Sequence, residues 1–103
     1  MLKWENTDQF GNLKVATSAA TSSAELRAEL VAMVEDVLTA HPTGAVFAVD
    51  APFCEISAPS GDQVSHVLAV PLFESGLTME DAQAMLQELV GDRAAVQGPW
   101  EDF

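Results

Sequence analysis

The longest apolar run lies past the middle of the chain, from Val64 to Phe73, interrupted only by Ser65 and His66. Ahead of it, Ala45-Val46-Phe47-Ala48-Val49 is apolar at every position, and Phe53-Cys54-Glu55-Ile56-Ser57-Ala58 follows across Asp50-Ala51-Pro52. Short runs of this kind, bounded by turn formers, predict strands over 45–49, 53–58 and 63–73. The last two are expected to pair as a hairpin around Pro59-Ser60-Gly61-Asp62. Pro71 lacks a backbone donor, so the final strand should leave the sheet there or lie at an edge.

Before this block, residues 1–17 alternate: Leu2 and Trp4 with Lys3 and Glu5, then Leu13 and Val15 with Lys14 and Ala16. That is the pattern of an N-terminal hairpin around the turn-rich segment 6–12. After a small polar connector, Ser22-Ser23-Ala24-Glu25 reads as a capping box. Leu26, Leu30, Met33, Val34, Val37, Leu38 and His41 then form one stripe at helical spacing, which Pro42 and Gly44 close. A second helix is predicted from Thr78, with Glu80 and Asp81 in its first turn and Ala82, Met85, Leu86, Leu89 and Val90 as its apolar stripe. Gly91 ends it. Ala94–Gln97 suits one more short strand, with residues 98–103 left as a flexible tail.

The elements read β-β-α-β-β-β-α, with the extra C-terminal strand as an addition. This is an α+β fold: an antiparallel sheet of about five strands with two amphipathic helices packed on one face. Residues 1–103 form a single domain. The other sheet face is expected to carry Trp4, Phe47 and Phe53, and to be covered in a homodimer.

Charge changes the picture of partners. Sixteen Asp and Glu stand against four Lys and Arg, a net charge of −12. Between Ala28 and Asp92 there is no Lys or Arg. A field of this sign repels nucleic acid and anionic membranes and favours a basic protein partner. Aligned acids could instead imitate DNA, but these are scattered over helices, turns and strands. No apolar run reaches the ~18 residues of a membrane span. Polar residues interrupt residues 1–20, so they lack the pattern of an export signal. With Cys54 as the single cysteine, the cytoplasm is the expected compartment.

Chemistry has few candidates. With Ala58 opposite Gln63, Glu55 falls opposite His66 on one face, a carboxylate beside an imidazole. The ordinary cross-strand polar pair outweighs an acid–base site there. Cys54 then points away from His66 and reads as a small buried hydrophobe. His41, His66 and Cys54 show no metal-binding spacing, and the acids form no calcium loop. No phosphate loop or nucleophile elbow occurs. No catalytic residue, cofactor or metal is therefore assigned. At the C-terminus, Trp100 and Phe103 alternate with acids in the manner of a docking peptide.

One stretch carries a resemblance. Val64 to Val90, a long strand ending Pro71-Leu72-Phe73 and then Glu74-Ser75-Gly76-Leu77-Thr78 opening an amphipathic helix, resembles the strand–helix ending of small acidic secretion-chaperone-like domains. It covers about a quarter of the chain, and the N-terminal hairpin departs from that family's opening helix. The resemblance implies only a fold analogy. The expected function is a small acidic non-enzymatic protein-binding domain that self-associates and engages its partner through an apolar sheet face or its acidic surface. The alternatives are a structural subunit or chaperone-like adaptor of a phage or secretion assembly, and a small enzyme or ligand-binding module using Glu55 and His66.

Overall fold

The computed structural model describes residues 2–7, 13–50, 54–59, 64–71 and 76–100, with Pro99 and Trp100 described in backbone only. Six strands form one sheet: β1 (Glu5–Asn6), β2 (Lys14–Thr17), β3 (Val46–Asp50), β4 (Cys54–Ala58), β5 (His66–Val70) and β6 (Ala95–Trp100). Among the described residues two helices, α1 (Ser23–Ala40) and α2 (Met79–Val90), complete the α+β fold. The strand order across the sheet is β1-β2-β5-β4-β3-β6.

The sheet is mixed, not purely antiparallel, and has six strands where about five are expected from the sequence. β3, β4 and β5 form an antiparallel meander and β1 pairs antiparallel with β2, but β2–β5 and β3–β6 are parallel. The reason lies in the connections. A chain that leaves β2 or β5 through a helix returns along the sheet in its original direction, so β3 and β6 arrive parallel to the strands that preceded their helices.

Both helices start on side-chain caps. The Ser22 hydroxyl accepts from the Glu25 backbone N–H at 3.2 Å. The Glu25 carboxylate reaches one residue further back than the usual box, accepting from the Thr21 N–H at 3.2 Å. For α2 the box is complete: the Asp81 N–H donates to the Thr78 hydroxyl and the Thr78 N–H to the Asp81 carboxylate, at 3.1 and 3.0 Å. Gly91, at φ 59°, ends α2 in a region that a side chain would resist. The Glu29 carboxylate holds the connector between β2 and α1: it takes the Ser18 hydroxyl, and the Ala19 N–H at 3.0 Å.

The core lies between the helices and one sheet face. Leu26, Leu30, Met33, Val34 and Val37 from α1, and Ala82, Leu86 and Val90 from α2, pack on Phe47, Val49, Ile56, Leu68 and Val70. Arg27–Glu88 at 2.9 Å and Arg93–Glu35 at 3.6 Å bridge the outer surfaces of the helix layer.

Phe47 corrects the expectation that it faces outward: it is 0% exposed, on the helix side. Alternation explains it, since Phe47 shares its face with the buried Val49 and its register partner on β6 is Val96. Trp4 likewise lies half-buried against the core cluster. Gly98-Pro99 does not stop β6, which runs on to Trp100 and so occupies the start of the expected tail. Proline is tolerated because β6 is an edge strand, and Gly98 at φ 102° takes up the register shift opposite Ala48 and Asp50. Phe53 and residues 101–103, including Phe103, lie outside the described residues.

Removing the Phe47 ring should empty the centre of this layer. Phe47→Ala is expected to lower the unfolding free energy by about 3–5 kcal/mol, measured by urea denaturation. A variant as stable as the parent would contradict a core role.

Candidate functional site

The Glu55–His66 pair does not form. The register places Ala58 opposite His66 and Glu55 opposite Ala69, three residues away from the tight-turn expectation. An odd shift exchanges faces. Glu55 is therefore exposed on the open side of the sheet, whereas His66 is buried beneath the helices. The same shift brings Cys54 onto the face of His66, contrary to expectation, but four residues along β4 from Ala58, roughly 13 Å away. Burial pushes the Cys54 thiol up to about 11, which removes the thiolate a nucleophile needs.

Near the start of β5 a different cluster forms. The Ser65 hydroxyl stands 2.7 Å from His66 Nδ1, 3.1 Å from His41 Nε2 and 3.3 Å from the Ala58 carbonyl oxygen. The backbone fixes this hydroxyl: Ser65 N–H donates to Ala58 O at 3.2 Å, and Lys14 N–H to Ser65 O at 2.8 Å. His41 arrives as the C-cap of α1, its N–H bonded to Val37 O. The Trp4 ring meets the His66 ring edge-on at a centroid distance of 4.9 Å. The Trp4 indole N–H donates to Asp36 Oδ2 on α1 at 2.7 Å.

The one serine proton can go to only one of His66 Nδ1, His41 Nε2 and the Ala58 carbonyl oxygen, so hydrogen-bond roles are interdependent. With Ser65 donating to His66 Nδ1, His41 Nε2 must carry a hydrogen and donate to Ser65. The arrangement can hold and pass a proton. Among the described residues no carboxylate is hydrogen-bonded to either imidazole as an orienting acid, and the Ser65 N–H that could face an oxyanion is committed to Ala58. The cluster joins the N-terminal segment, the end of α1, β4 and β5. Ser65 was not a candidate in the sequence; the Ser65-His66 adjacency was visible, but the approach of His41 depends on where α1 ends.

Among the described residues no group of three or more His, Cys, Asp or Glu side chains is placed to share a metal ion. No helix among them is long and apolar enough to cross a membrane.

The second candidate is the sheet face that the helices leave open. From β2 to β6 one row across it reads Val15, Val67, Ser57, Ala48, Gln97, and the next begins Thr17, Ala69, Glu55, Asp50. Val15, Val46, Ser57, Val67 and Ala69 are half-buried. Of the residues expected to serve binding, Trp4 and Phe47 belong to the opposite layer. Compared with protein-family models, curated proteins and solved structures, the chain matches none.

Burial is the main cause that lowers the His66 pKa below its ordinary 6.5; Lys14 and His41 lower it further, and Asp36 opposes them. A folded state that binds the proton less readily than the unfolded chain loses stability as pH falls. The contribution of His66 is thus fully present above pH 6.5 and declines as pH drops from there towards the folded-state value. Urea midpoints at pH 7.5 and pH 5 should show a parent-specific loss that His66→Gln removes. A pH response unchanged in His66→Gln would contradict it.

Proposed function

We propose that this chain is a small acidic, non-enzymatic protein-binding domain whose docking surface is the open face of the sheet. One observation carries the reading: α1 and α2 cover a single face, while the other presents valine, alanine and serine from β2, β3, β4 and β5. A half-buried row of valine, alanine and serine on a sheet face without a helix layer suits an interaction site. The enzyme reading that required Glu55 and His66 to meet is dropped, because they occupy opposite faces. A cytoplasmic setting accords with one buried thiol, Cys54. An adaptor within a larger assembly is the same reading applied to an oligomeric partner.

A second copy of the chain is a weaker occupant than a different protein. A charge of −12 on each copy sets two copies against one another. Sedimentation equilibrium at high micromolar concentration should therefore give a monomer. The tagged chain, returned to extract of its native cell, should retain a stoichiometric partner that Val67→Asn on the open face loses and Val31→Asn on the exposed side of α1 keeps. Loss by both variants, or by neither, would remove the open face from the reading.

A further inference from the structure

The open face specifies more about its occupant than that it is apolar. The first specification is volume. Every large buried side chain of the strands, Phe47, Ile56 and Leu68 among them, points to the helix layer. The described apolar strand residues on the open side are small or β-branched: Val15, Val46, Val67 and Ala69, with Ala48 buried among them. A surface of short side chains lets a partner backbone approach closely, but the bulk that fills the contact must come from the partner. The second specification is charge. Asp50 and Glu55 are register partners on β3 and β4, so two carboxylates stand side by side, about 5 Å apart at Cβ. Like charges directly opposite in an antiparallel pair are unfavourable. No basic residue of the six strands offsets them on this face. Lys14 is in register with His66 on the helix side, while Arg27 and Arg93 are engaged on the helix layer. The third specification is architecture. The helices cover one face of the sheet only, so a helix on the other face would supply the complementary layer.

We infer that the open face receives an amphipathic helix of another protein, which lays a stripe of bulky apolar side chains on Val15, Val67 and Ala69 and brings an arginine or lysine to Asp50 and Glu55. The inference rests on the protein-binding reading above and adds the chemistry of the partner. A helix of this kind completes a helix–sheet–helix sandwich. Its base relieves the repulsion between two carboxylates that the free protein leaves side by side, and arginine suits the place best because its planar fork can reach both.

The test uses the full chain and three synthetic helical peptides of about 18 residues, long enough to hold a helix. The first has a leucine stripe flanked by arginines; the second replaces each arginine by glutamate; the third keeps the arginines but scatters the leucines. Backbone amide NMR shifts report where each binds. The first peptide should shift Val15, Ser57, Val67 and Ala69, bind less tightly as salt is raised, and lose about tenfold in affinity at low salt when Asp50→Asn and Glu55→Gln are combined. Equal binding by the glutamate peptide or by the scattered peptide would overturn the inference. Shifts confined to α1 and α2 would do the same, as would concentration-dependent shifts of the open face with no peptide present, which would make a second copy the occupant. If no peptide binds while Val67→Asn still loses the native partner, the inference fails and the protein-binding reading stands. If Val67→Asn keeps that partner, the reading itself falls.

Discussion

Both helical connections cross the sheet in the same sense, and the arrangement of the molecule follows from that. α1 carries the chain from β2 over β5 and β4 to β3; α2 carries it from β5 over β4 and β3 to β6. The departing strands β2 and β5 are parallel neighbours. Two crossovers of one hand, leaving parallel strands in one direction, must lie on the same side of the sheet. The helices are then obliged to pack against each other, which Arg27–Glu88 and Arg93–Glu35 reflect at their outer surfaces. Among the described residues, the large apolar side chains of the strands are drawn to that side, and the apolar residues of the other side are short.

The helices were legible in the sequence because their signals are local. Caps at Ser22 and Thr78, stripes at helical spacing and a terminating Gly91 act within a few residues of one another. The strands were legible as elements for a similar reason. Their pairing was not, because direction and register depend on connections. By sequence alone, residues 59–62 make a four-residue turn, yet the strand pair closes through Ser65 N–H to Ala58 O. That difference of three positions turned Glu55 outward and His66 inward. The inward face of Phe47 is hidden in the sequence for another reason. A strand that is apolar at every position gives no alternation from which to assign a face, and only the helix layer decides it.

The cluster around Ser65 shows how far such non-local effects reach. Its members come from the N-terminal segment, the C-cap of α1 and the first residues of β5, so nothing in their spacing announces them. What the sequence did contain was Pro42, which ends α1 and fixes where His41 stands. Burial of His66 between Trp4, Ser65 and the helix layer then joins three parts of the chain through one serine hydroxyl. The cost is a buried imidazole that resists protonation, and hence a junction that weakens in acid.

Charge and shape act together on the open face. An unpaired apolar surface is a liability, since two copies of a protein can bury it against each other. Here the liability is contained from within, because each copy is strongly anionic and Asp50 and Glu55 stand beside the apolar rows. On the proposed reading, the carboxylates that set like surfaces against each other are the ones that would attract a base. This also explains why the acids need not be aligned as they would be to imitate nucleic acid. On the proposed reading, two in register beside rows of valine and alanine would be enough to orient one cation, and those rows would set what it is attached to.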